Sequence, residues 1–151
     1  MKSKLGDIIG KAIQNEEDAR LFYTDLAKKV KDKEAKEALT FMAGEEKKHK
    51  DFLVSYRDGK NKSALKMEDT VDYKVAEYNE KPDIKGDLKS KDVYLIAAHR
   101  ELNSHNFYNA LAEAQPKGEV KDMLLTMAQE ELKHKEKVEY LYSNTAFTEA
   151  W

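Results

Sequence analysis

Glu46-Lys47-Lys48-His49 returns 85 positions later as Glu131-Leu132-Lys133-His134. The same offset relates Glu16 to Glu101, and the aromatic pair Phe22-Tyr23 to Phe107-Tyr108. Each lone glutamate stands about thirty residues before the Glu-x-x-His that follows it. One Glu from each of two helices, with a Glu-x-x-His from each of two others, is how a four-helix bundle holds two metal ions in its core. The duplication therefore predicts an all-α four-helix bundle built from two repeated hairpins. Its metal ligands are expected to be Glu16, Glu46, His49, Glu101, Glu131 and His134.

Working outward, apolar spacing predicts helices over 7–30, 33–56, 92–114 and 118–142. Asp7 and Asp92 are expected as N-caps at equivalent repeat positions, and Asp32 as the cap of the second helix. The joins at Lys31-Asp32 and Gln115-Pro116-Lys117-Gly118 are short, which makes antiparallel neighbours. Residues 1–151 read as one domain: a hairpin over 7–56, a crossover over 58–90 and a hairpin over 92–142. A long crossover between two hairpins is the ferritin-like connection. Leu65, Met67, Val71, Tyr73, Val75 and Tyr78 are expected to lay the crossover on the bundle, with a short helix. The segment from Thr145 to Trp151 yields no reading.

Alternating three- and four-residue steps define one inward stripe per helix. They are Ile9, Ala12, Glu16, Ala19, Tyr23, Leu26 and Val30; Leu39, Met42, Glu46, His49, Leu53 and Tyr56; Tyr94, Ala97, Glu101, Ser104, Tyr108 and Leu111; and Leu124, Met127, Glu131, His134, Val138 and Leu141. Four glutamates thus fall where apolar residues belong, with no Lys or Arg on the stripes. Burying a lone carboxylate costs several kcal/mol. Two divalent cations would neutralise four carboxylates, with the imidazoles bound neutral. Oxygen-rich ligation with one imidazole per ion suits iron or manganese, and zinc would also bind. The repeat also sorts neighbours. Glu17 aligns with Leu102, and the spacing to His selects Glu46 and Glu131 over Glu45 and Glu130. Tyr23 and Tyr108 read as core aromatics, or as donors to metal-bound carboxylates. His99 reads as a surface residue and His105 as a flanking one. Ala12, Ala19, Ala97 and Ser104 bracket the lone glutamates, and an open face for dioxygen or peroxide is expected over them.

Composition narrows the function classes. The charged fraction is 37%, with six Gly and two Pro, which favours long helices over a sheet. A net charge of -2 gives no global field for nucleic acid or an anionic membrane. The apolar run 93–98 is too short to span a bilayer and no signal-peptide pattern is present, so a cytoplasmic protein is expected. No cysteine is present, which excludes disulfides, iron–sulfur clusters and thiolate sites within this chain.

Glu16 with Phe22-Tyr23, the run Met42-Ala43-Gly44-Glu45-Glu46-Lys47-Lys48-His49 and their second-half counterparts resemble the rubrerythrin family of the ferritin-like superfamily. The resemblance implies a carboxylate-bridged di-iron site held by the six residues above, a homodimer, and reduction of hydrogen peroxide by cycling between diferrous and diferric states. Two departures stand out. Rubrerythrins append a cysteine-ligated iron domain, and this chain has none, so an external donor such as a rubredoxin-like protein is expected. They also carry a further glutamate one turn after the third-helix ligand, where this chain has Ser104. The rival expectations are an iron-binding ferroxidase-type or storage protein, and an oxidase or hydroxylase that uses dioxygen.

Overall fold

The computed structural model describes residues 4–59, 72, 74–82 and 88–149. Five helices occur among them, with no strand: α1 (Lys4–Lys29), α2 (Lys33–Arg57), α3 (Val75–Tyr78), α4 (Ser90–Glu113) and α5 (Glu119–Glu149). α2 starts where Asp32 takes extended backbone and its carboxylate accepts the Ala35 N–H at 2.9 Å. It stops at Gly59, whose φ of 71° suits glycine and whose N–H reaches Tyr56 O at 3.1 Å. The other two expected caps differ. α1 already runs from Lys4, which places Asp7 inside its first turn. Lys89 caps α4, and Asp92 sits three residues in, accepting the Lys89 N–H at 3.3 Å. α5 continues to Glu149, through much of the segment left unread; Trp151 lies outside the described residues.

The hairpins are α1 with α2 and α4 with α5. Contacts of Tyr23 with Glu101 and of Tyr108 with Glu16 set α1 antiparallel to α4. Contacts of His49 with Glu131 and of His134 with Glu46 do the same for α2 and α5. α2 and α4 therefore point the same way, and the chain between them must travel the bundle's length, roughly 37 Å for a helix as long as α2. This is the ferritin-like arrangement. All four predicted stripes face inward, Tyr56, Leu111 and Leu141 less completely than the rest. Two apolar clusters result, one around Tyr23, Leu39 and Tyr94, the other around Ile9, Leu53, Tyr108 and Leu124. The polar stripe residues lie between them.

The crossover docks on the second hairpin with the expected short helix, in which Val75 is half-buried and Ala76, not named in the sequence reading, is the buried residue. Tyr78 is 82% exposed. Leu65, Met67, Val71 and Tyr73 lie outside the described residues. Lys135 of α5 is fully buried and holds the crossover, with Asp72 at 2.6 Å, Glu77 at 2.8 Å and Glu139 at 3.1 Å. Glu139 in turn accepts the Ala76 N–H at 2.8 Å. His99, expected at the surface, is half-buried with Nε2 2.8 Å from Asn79 O. This cover explains the run 93–98. α4 is buried all round there, so its apolar residues show no helical periodicity.

Candidate metal centre

Each stripe delivers its polar residues to one level of the bundle because each helix places them mid-length with three- or four-residue spacing. Donor atoms of Glu46, His49, Glu131 and His134 all lie within 4.8 Å of one another. Glu16 and Glu101 flank them. His49 Nδ1 is 3.1 Å from Glu131 Oε1 and 3.6 Å from Glu16 Oε1. His134 Nδ1 is 2.9 Å from Glu46 Oε1 and 3.8 Å from Glu101 Oε1. Each imidazole thus faces the motif glutamate of the other hairpin. The two rings stack with centroids 5.2 Å apart.

The tyrosines cross in the same sense. Tyr23 O–H donates to Glu101 Oε1 at 2.8 Å and Tyr108 O–H to Glu16 Oε1 at 2.6 Å. Burial, reinforced by the neighbouring carboxylates, pushes both phenols well above their usual range, so they remain donors. One oxygen of Glu16 and of Glu101 is thereby anchored, as Oε1 of Glu131 is by His49 Nδ1, while the other oxygen of each has no partner. Both oxygens of Glu46 and Nδ1 of His134 also lack a hydrogen bond; their 2.9 Å contact does not have hydrogen-bond geometry. Every partnerless buried side-chain polar atom among the described residues lies in this cluster. Such atoms cost about 1–3 kcal/mol each, more when charged. Orphaned oxygens and an imidazole nitrogen converging at one level fit a pair of cations.

Electrostatics agree. Burial and mutual repulsion push Glu46, Glu101 and Glu131 well above the carboxylate range. Burial also acts against Glu16, but the close Glu46 and His49 side chains and the Tyr108 hydrogen bond bring it below that range. Burial and the neighbouring His49 push His134 down to about 3. Burial works against a charged His49 too, yet Glu16 outweighs it and His49 goes up. Cations would remove the repulsion at its source.

His105 flanks the cluster, with Nδ1 2.7 Å from Ala128 O and Nε2 3.0 Å from Asn109 Nδ2. One expectation changes. The small residues give no open face. Ala12, Ala19, Ala97 and Ser104 are all buried, and Ser104 Oγ accepts from Asn15 at 3.2 Å and Arg100 at 2.9 Å. The residual exposure lies at His49 (6%) and His134 (4%), between α2 and α5. Glu130, set aside in favour of Glu131, lies beside the cluster, with Oε2 3.9 Å from His49 Nε2. The three-residue spacing to His singles out Glu131 beside it, and no spacing rule recovers Glu130.

The connectivity and the donor set define a class first: a ferritin-like bundle with a buried carboxylate and imidazole cluster of the composition that dinuclear iron sites use. The rubrerythrin family model matches residues 7–142, and the chain belongs to the rubrerythrin family. No curated protein and no solved structure matches it. None of its described helices is long and apolar enough to cross a membrane.

Proposed function

We propose that the chain is a dinuclear iron oxidoreductase that reduces hydrogen peroxide. The observation that carries this reading is the convergence of four buried carboxylates and two imidazoles whose free oxygens and nitrogen have no other partner. Glu16, His49 and Glu131 would hold one ion, and Glu101, His134 and Glu46 the other. Iron held there in the ferrous state would supply the two electrons that, with two protons, convert one hydrogen peroxide to two waters. The protein's own part is positional. Tyr23 and Tyr108 fix the outer carboxylates by hydrogen bonds and leave one oxygen of each free to bind. The apolar clusters on either side exclude water, which strengthens each charge interaction at the centre.

We propose a one-electron carrier of the rubredoxin type for re-reduction. We extend the proposal to a homodimer in the cytoplasm, which sedimentation and cell fractionation test. The decisive experiment mixes anaerobic iron-loaded protein with hydrogen peroxide and, separately, with dioxygen in a stopped-flow instrument. Much faster oxidation by peroxide is the expected result. A preference for dioxygen would replace this reading with an oxidase or ferroxidase, and inertness to both would exclude iron redox chemistry.

A further inference from the structure

Arg100 precedes Glu101 on α4 and is half-buried beside the cluster, where α4 meets α1. The repeat puts Asn15 at the equivalent place, and the two residues meet. The guanidinium donates to Ser104 Oγ at 2.9 Å and to the Asn15 carbonyl at 3.3 Å, while Asn15 Nδ2 donates to the same Ser104 Oγ at 3.2 Å. These partners are neutral, and among the described residues no carboxylate pairs with Arg100. Arg20 of α1 differs in this respect, since it forms an ion pair with Glu17 one turn before it.

A guanidinium has five N–H donors, more than these two contacts use. With two divalent ions against four carboxylates the loaded core is formally neutral, so Arg100 adds an uncompensated positive charge at its edge. Its contacts, Ser104 one turn after Glu101 and Asn15 next to Glu16, hold that charge near both lone glutamates.

We infer that Arg100, held by Asn15 and Ser104, selects small inorganic anions for this centre. The inference rests on the dinuclear reading, and in the proposed reaction the anion is hydroperoxide.

The test uses azide as the anionic probe of oxidised iron-loaded protein, nitric oxide as a neutral probe of the ferrous form, and elemental analysis for iron. Arg100→Gln removes the charge, Arg100→Lys keeps it, and Asn15→Asp sets a carboxylate against it. Azide affinity is expected to fall about tenfold or more in Arg100→Gln and Asn15→Asp, and to stay within about threefold in Arg100→Lys, as expected for one nearby charge. Nitric oxide binding and the iron count should not move. Unchanged azide affinity in both charge-altering variants with iron retained would overturn the inference, and so would a parallel loss of azide and nitric oxide. Should either variant fail to fold, the other decides. A wild-type protein that does not take up two irons would instead remove the dinuclear reading itself.

Discussion

Positions 50 and 135 are the same place in two copies of one hairpin, and both hold lysine. Lys50 is about a third exposed and pairs with Glu17 at 2.8 Å on the flank of the first hairpin. Lys135 is fully buried and binds Asp72, Glu77 and Glu139. Two of those three partners come from the crossover, whose described residues pack on the second hairpin. The inward stripes of the hairpins match nearly residue for residue, because both must serve the same cluster. Their outer faces diverge at this position, because one lysine reaches solvent and the other meets chain.

The largest expected effect tests that divergence. Lys135→Met leaves buried Glu139, together with the partly exposed Asp72 and Glu77, without its cation and should cost about 3–5 kcal/mol. Lys50→Met removes a partly exposed pair and should cost about 1 kcal/mol at most. Urea unfolding of both variants in the same metal state gives the difference. Equal costs would mean that the crossover does not depend on Lys135.

The tyrosines make the opposite prediction, because they belong to the matched stripes. Tyr23→Phe and Tyr108→Phe each remove one hydrogen bond to a carboxylate, worth about 1.5–3 kcal/mol. In metal-loaded protein the two losses should agree within about 0.5 kcal/mol, the usual tolerance for independent sites. A clear inequality in unfolding free energy would show that the pseudo-twofold geometry does not carry over to energetics.

What the sequence revealed divides along the same line. The six cluster residues and both tyrosines lie on stripes read from spacing alone, because inward positions obey helical periodicity and the duplication checks every assignment. The outer face of the second hairpin was illegible. Lys135 and Glu139 look like solvated charges in a Lys/Glu-rich helix until the crossover is seated on them. The run 93–98 hints at such a cover, since a helix apolar all round must be buried, but nothing in it names the partner. Arg100 was missed for a different reason. It sits beside a stripe, and only the three-dimensional meeting with Asn15 and Ser104 gives it a role.

Protonation sharpens the picture of the shared core. Glu46, Glu101 and Glu131 are raised in the metal-free fold. Their contribution to stability is therefore fully present below the unfolded value of about 4.3 and is lost as pH rises through their folded values. Glu16 and His134 are lowered. Their contributions run the other way, being complete only above about 4.3 and about 6.5 respectively. Metal binding must displace the protons on the raised carboxyls. Apparent metal affinity should therefore rise with pH, by about 1.4 kcal/mol per pH unit for each proton released. Calorimetry in two buffers of different ionisation enthalpy counts those protons. Affinity independent of pH near neutrality would mean that the carboxyls are already ionised in the metal-free protein.

The smallest expected effect lies at the hairpin joins. α2 begins with a side-chain cap, Asp32 on the Ala35 N–H. The repeat counterpart of Asp32 is Lys117, which has no side-chain oxygen to accept such a bond, and α5 begins after Gly118 at φ 154°. Asp32→Ala should cost about 1 kcal/mol, the usual worth of an N-cap. Lys117→Ala should be close to neutral, within about 0.5 kcal/mol for a surface substitution. Thermal unfolding of the two variants resolves this. If both proved neutral, the α2 start would be held by the packing of Ala35 and Leu39 in the core rather than by its cap. The joins would then follow the rule of the inner stripes, in which burial and not local hydrogen bonding sets the geometry.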